Sequence, residues 1–476
     1  MAHSPVQTGD FSQGGIRANI LRLAVPMVLA QLASVLYNIV DRIYLGHMPG
    51  ASSAALAGVG LTFPILQIIT AFASLFGSGG TPLFSMARGR GDDREAAHIL
   101  NVVFSLLVSV GAALTVLFLL LRRPLLYLLG ASDATYPYAS QYLAVYLTGS
   151  VFVMLSLGLN GFINAQGFGR TGMMTVVIGA GLNLVLDPIL IFGFGLGVQG
   201  AALATVISQF FGALWAVLFL TSRRASVRLE PFRFCFPPVL IRRICGLGMS
   251  GFVMSVTNCA VQAVCNMALQ QYGGDLYISV MTIVNSMREI AITPANAASQ
   301  AGQPVMSYNY GAQQYARVRA AIRFVTLLCV GYTLAVWGLL MAFPAQCAAL
   351  FSSDARLIAV GTPAMRVYFC GIFLMALQMA GQAPAVALGR ARQAVFFSLL
   401  RKAFIVVPLT LLLPRLGGLG VMGVFLAEPV SNLIGGAACY LTMALTIGRE
   451  LRRKEQASLA GAVPQAETSK ATTGPV

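Results

Sequence analysis

Apolar residues along this chain are gathered into runs of about twenty or more, separated by short stretches that carry glycine, proline and arginine. At a helical rise of 1.5 Å per residue, a run of about 20 residues crosses a hydrocarbon core of roughly 30 Å. Twelve such runs can be drawn, at 21–46, 54–82, 99–121, 140–164, 173–195, 199–221, 239–270, 276–307, 320–344, 361–386, 395–414 and 420–447. All twelve are predicted as helices. A lipid-facing segment must satisfy its backbone hydrogen bonds internally, and these runs lack the two-residue alternation of a barrel strand.

Composition agrees with that pattern: of 476 residues 57% are hydrophobic and 10% charged, and mean hydropathy is +0.78. A chain of this kind cannot present a wet surface and reads as a polytopic membrane protein. No small-residue cleavage site follows the first run, which is therefore expected to stay as an uncleaved first helix.

The net charge of +16 changes the picture once the spans are drawn. Of the 31 Lys and Arg, 24 fall on the N-terminus, the even-numbered loops, the adjoining helix ends and the C-terminal tail; six (Arg42, Arg122, Arg123, Arg356, Arg366, Arg415) fall on the other side, and Arg288 lies within a span. The positive-inside rule then predicts that both termini are cytoplasmic. Arginines scattered over short loops speak against nucleic-acid binding. The eight cysteines show no metal-ligand spacing and only three histidines occur, so packing is their expected role and no metal or other cofactor is expected. The tail, 449–476, is polar and expected to be disordered.

The sequence also repeats itself. "GGTPLFSMARGRGDD" from 79 matches "AGQPVMSYNYGAQQ" from 301 at an offset of 222; "GFGRTG" at 167 matches "ALGRAR" at 387, with Pro188 falling on Pro408; "LGVQGAALATVISQ" from 196 matches "LGVMGVFLAEPVSN" from 419. Collinear matches at nearly constant spacing predict an all-α membrane fold of two six-helix lobes related by a pseudo-twofold along the membrane normal. The expected division is 1–221, a linker loop at 222–240, and 241–448. Two lobes facing across a cleft suit alternating access, and the duplication already supplies both walls, so a monomer is expected.

The motifs that carry the repeat also resemble a known family. "LAVPMVLAQL", "LFSMARGRGD", "GFGRTG", "NLVLDPILIFGFGLGVQGAALATVISQ" and "GQPVMSYNYGA" are similar to those of multidrug and toxic compound extrusion (MATE) transporters over about residues 15–448. The resemblance implies an inner-membrane antiporter that expels amphipathic, usually cationic, compounds in exchange for protons or sodium ions.

Only four acidic residues fall within spans: Asp41, Asp187, Glu289 and Glu428. A charge at mid-membrane costs about 2.5 to 3.5 kcal/mol on insertion scales, so each should face an interior cavity or a partner. Asn183 stands one turn below Asp187 on the same face, and Thr205 and Asp41 come to about the same depth from neighbouring helices. These four are the candidate cation-coupling site, able to hold a hard cation or share a proton, and the resemblance places them on the N-lobe cation site of the DinF-like branch. The other branch uses acids on helices seven and ten, where this chain offers only Asn258, Gln262, Asn266, Gln378 and Gln382. Pro26 and Pro188 are expected helix kinks, the latter beside the acid. In the repeat Val407 replaces Asp187 and Glu428 stands at Thr205, so the lobes are expected to do different work. Glu289 and Glu428 are candidate substrate contacts; Arg288 could instead pair with Glu289, and Arg401 and Lys402 are expected to snorkel to the cytoplasmic edge. No nucleophile and base occur at usable spacing, which speaks against an enzyme. A lipid-linked precursor flippase is the alternative, and would want several Arg lining the cleft for a pyrophosphate.

Overall fold

The computed structural model describes residues 10–46, 52–133, 135–230, 234–350, 355–416 and 418–461. Within them twelve long helical segments run in chain order: α1 Ile16–Gly46, α2 Ser52–Gly89, α3 Asp93–Leu120, α4 in two pieces (Tyr136–Thr148 and Ser150–Ala165), α5 Gly169–Gly193 and α6 Gly197–Thr221, followed by α7 Pro238–Gly274, α8 275–311, α9 Tyr315–Ala342, α10 Ala355–Ala387, α11 Ala391–Arg415 and α12 Val421–Ser458. Every predicted span has its helix. Two further short helices, Arg122–Leu128 and Pro344–Ala349, precede α4 and α10.

Several helices depart from straight α geometry where the sequence allows it. α4 bends by 55° at Gly149. Between α7 and α8 helical geometry is broken only at Gly274, whose φ of 66° a side chain would oppose. The α1 helix continues across Pro26, and the backbone beyond Pro188 widens into a π-helical turn, Ile189–Gly193. A similar wide turn, Leu400–Val406, interrupts α11.

The first helix of each half also packs against the opposite half. Ile20, Leu23 and Ala24 of α1 are buried with Ala298, Ala301 and Val305 of α8. In the pseudo-equivalent position, Ile244 and Leu247 of α7 are buried in the cluster formed by α2 through α6. α2 crosses α7 so closely that a methyl group on Gly248 would meet the Leu75 carbonyl oxygen at 1.7 Å. All of this lies toward the side that carries the arginine-rich loops. The α6–α7 loop covers the same side and is pinned to the N-terminal half: the Gln166 side chain brackets Val227 (3.0 and 3.3 Å), and the Glu230 amide donates to Asn101 Oδ1 at 2.9 Å.

One sequence expectation fails. The tail taken as disordered from 449 continues as helix through Gly461. Leu451 is fully buried, Glu450 pairs with Arg390 and Lys454 and accepts from the Tyr310 hydroxyl at 3.2 Å, and Glu455 meets Arg319 at 2.6 Å. The polar composition hid an amphipathic face. Residues 462–476 lie outside the described residues.

Candidate functional site

α5 and α6 bring three of the four predicted coupling residues together. Asn183 Nδ2 donates to Asp187 Oδ1 at 3.3 Å and lies 3.4 Å from Thr205 Oγ1, which in turn donates to the Ala201 carbonyl at 3.0 Å. Asn183 and Asp187 are buried, at 3% and 1% exposure. The i, i+4 spacing stacks the two on one face. Eighteen residues separate Asp187 from the start of α5, about 27 Å along the axis, so the cluster lies toward the membrane side opposite the arginine-rich loops. Asn183 Oδ1 is buried with no hydrogen-bond partner among the described residues, an unmet acceptor of the kind a hard cation takes. The Asp41 side chain, the fourth member, lies outside the described residues.

None of Asn183, Asp187 and Thr205 lines the central cavity, whose α5 wall ends at Ala180, one turn from Asn183. That space, about 600 Å³, lies between the halves and is lined from α1, α2, α4, α5, α6, α7, α8, α10 and α11 by amides, hydroxyls and five methionines: Met27, Met173, Met254, Met375 and Met379. Arg401 is the single charged residue among the described residues that line it. No phenylalanine lines it among the described residues.

A second cavity, about 580 Å³, opens within the C-terminal half. Here the expectation for Arg401 and Lys402 is overturned. They are not at the membrane edge but buried, at 1% and 4% exposure, and both reach one acid: Arg401 Nη1 donates to Glu428 Oε1 at 3.0 Å and Lys402 Nζ at 3.1 Å. Arg401 Nη1 also donates to Asn432 Oδ1 at 2.6 Å. Arg401 stands ten residues, about 15 Å, along α11 from its start at Ala391, with its side chain turned into the protein rather than toward the helix end. The wide turn at Leu400–Val406 lets two consecutive side chains serve one carboxylate. An unpaired Glu428 in a span was the signal in the sequence that a buried cation had to stand opposite. Glu428 and Glu289 both line this second cavity, as does Arg288. Glu289 is exposed, and Arg288 has no carboxylate at ion-pairing distance among the described residues, so the anticipated Arg288–Glu289 pair is not formed.

The comparisons with known proteins meet this geometry. The family model MatE matches residues 26–189 and 252–412, the greater part of both halves. The chain belongs to the MatE family. Its members are the transporters that the sequence motifs resemble, and this chain is accordingly a multi-pass membrane protein. Among curated relatives, the multidrug export protein MepA of Staphylococcus haemolyticus (strain JCSC1435) is 26% identical over 88% of this chain and 92% of its own length. MepA of Staphylococcus aureus (strain NCTC 8325 / PS 47) is 26% identical over 90% and 95%. A solved structure described as the outward-facing conformation of a multidrug resistance MATE family transporter of the MOP superfamily superposes with a TM-score of 0.88 at 23% identity, covering 95% of this chain and all of that one, which shows the shared fold.

Proposed function

We propose that this MatE-family chain is a multidrug exporter of the bacterial inner membrane, with the arginine-rich side cytoplasmic, which trades protons or sodium ions for amphipathic, mostly cationic compounds by alternating access and works as a monomer. The observation that carries the reading is an Asn183–Asp187–Thr205 cluster that does not itself line the methionine- and amide-lined central cavity. Ion and substrate then have different seats in one moving body, and each can bias the same transition, which is what coupling requires. An adaptable wall of methionines suits varied substrates. Placement of the acid on α5, with none on α7 or α10 among the described residues, favours the DinF-like branch over the other.

The test is Asp187→Asn, which removes the charge at nearly constant volume. The folded variant is expected to bind an amphipathic cation in detergent yet show no efflux from inverted vesicles under a pH or a sodium gradient imposed separately. Coupled efflux at the parent rate from a properly folded Asp187→Asn protein would refute the reading. A second reading, a lipid-linked precursor flippase, is favoured by Arg288, Arg401 and Lys402 on the second cavity; ion-independent movement of a prenyl pyrophosphate across vesicles would support it instead.

A further inference from the structure

We infer that the groove between α9 and the arginine-rich end of α12 is a seat for the headgroup of an anionic phospholipid, with Arg323 and Arg452 on its phosphodiester and Arg449 and Arg453 beside them. This goes beyond the export reading and does not depend on it.

The helix that prolongs α12 has two unlike faces. Leu451 is fully buried, and both acids are already taken: Glu450 by Arg390 and Lys454, Glu455 by Arg319 at 2.6 Å. Arg449, Arg452 and Arg453, at helical spacings of three and four, share the opposite face. All three are exposed, and none has an ion-pair or hydrogen-bond partner among the described residues. Three guanidinium groups thus stand together with no acid free to balance them.

A fourth comes from the neighbouring helix. α9 enters the membrane from the arginine-rich side and α12 ends on it, and the Arg319–Glu455 pair ties the two helices at one level. Arg323 stands four residues further along α9, about 6 Å, and Arg452 stands three residues back along α12, about 4.5 Å. Both are one turn nearer the bilayer than the pair, and Arg323 too is exposed and unpaired among the described residues. The next turns are apolar and equally open. Leu327 follows Arg323 by four residues at 71% exposure, and Leu441 and Leu445, 58% and 52% exposed, precede Arg449 at the same spacing. Exposed leucine passing into exposed arginine marks where acyl chains give way to headgroups.

Charge and shape select the occupant. A phosphodiester accepts paired N–H bonds from a guanidinium fork, so arginines on two adjacent helices can share one phosphate. A zwitterionic lipid brings its own cation to that phosphate, and four unbalanced arginines oppose it. A headgroup of net negative charge brings none, and basic clusters at this depth attract such lipids. A soluble acidic partner would leave the leucines uncovered.

The experiment uses the delipidated full chain in a non-ionic detergent, titrated with fluorescent phosphatidylglycerol and with phosphatidylcholine of the same acyl chains. The parent protein is expected to hold phosphatidylglycerol about tenfold more tightly. Arg323→Gln combined with Arg452→Gln should bring that ratio near one, and the matching pair of Lys substitutions should keep part of it. Arg223→Gln combined with Arg224→Gln, which removes two exposed arginines from the α6–α7 loop on the same side, should leave it unchanged. Equal affinity of the parent for the two lipids would overturn the inference without any variant. So would a preference that survives loss of Arg323 and Arg452, an equal loss in the Arg223 and Arg224 control, displacement of the lipid by inorganic phosphate, or tighter binding of a soluble acidic peptide than of phosphatidylglycerol.

Discussion

Gly89 and Gly311 meet the opposite half of the molecule in the same way, each where its repeat partner meets the first half. A methyl group on Gly89 would lie 2.0 Å from the Tyr308 carbonyl oxygen, and one on Gly311 would lie 2.1 Å from that of Met86; both pairs are related by the repeat offset of 222. The contact is backbone against backbone on both sides, so no side chain can swing away. α2 and α8 therefore cross without spacers and seal the cavity from the arginine-rich side. Gly89→Ala and Gly311→Ala should each cost this closed arrangement about 1 to 3 kcal/mol, the range of overpacking in a rigid interior. Spin labels on the arginine-rich ends of α2 and α8 should report a longer, broader distance in both variants. Distances equal to those of the parent protein would contradict the assignment of this crossing as the seal.

Removing Glu428 should be far more damaging than removing one of its cations. Glu428→Gln leaves Arg401 and Lys402 side by side and buried with no acid between them, a loss of about 3 to 5 kcal/mol for a broken buried pair. Lys402→Met leaves the Arg401–Glu428 pair intact and should cost less. Thermal melts of both variants in the same detergent check the order, and a Lys402→Met protein that melts below Glu428→Gln would show that the cluster is held together otherwise.

The N-terminal segment adds a pH-dependent strap to the same seal. Asp10 accepts from the Ser12 amide at 2.9 Å and from the Tyr308 hydroxyl at 3.1 Å, while the Arg88 guanidinium lies over the Tyr308 ring at 5.8 Å. Burial alone would favour the neutral carboxyl, but the Ser12 and Tyr308 hydrogen bonds outweigh it and hold Asp10 below its ordinary value of 3.8. The folded form thus prefers the ionised carboxylate. Its contribution is present above that value and is lost as pH falls through the lowered one. The carboxylate is partly exposed, so the effect should be under about 1 kcal/mol. Melting temperatures of the parent and Asp10→Asn should differ at about pH 6 and converge on acidification below the Asp10 titration; a constant gap would remove the strap's pH dependence.

What the sequence made legible follows from which signals are periodic and which are contacts. Twelve spans and two halves could be read because lipid imposes length and composition on every crossing, and because duplication leaves offsets such as Pro82 to Pro304. Asn183, Asp187 and Thr205 were legible because a polar residue in a span is costly enough to need a reason, and helical spacing puts the first two on one face. Arg401 and Lys402 were misplaced because charge near a helix end has an easy explanation in snorkelling, while their pairing with Glu428 depends on a wide helical turn that no single residue announces. The tail helix was missed for a related reason: its partners Arg319 and Arg390 lie far away in sequence.

The asymmetry between the halves gives the last prediction. In the repeat, Val407 stands at Asp187 and Glu428 at Thr205, and the structure gives the two places different chemistry: an acid that accepts from an asparagine amide in one half, an acid held by two cations in the other. Asn183→Ala should therefore weaken the coupling ion's hold, since it removes the group that bridges Asp187 and Thr205 and carries the unmet acceptor. Loss of one such ligand is worth about 1 to 3 kcal/mol, or roughly five- to hundredfold in the ion concentration that half-saturates efflux. Val407→Ala should leave that concentration within about twofold of the parent, because the position has no ion to hold. The measurement is initial efflux rate against imposed ion concentration in inverted vesicles, with protein amount matched for the three proteins. Equal shifts in the two variants, or a larger one for Val407→Ala, would place ion coupling outside the Asn183–Asp187–Thr205 cluster.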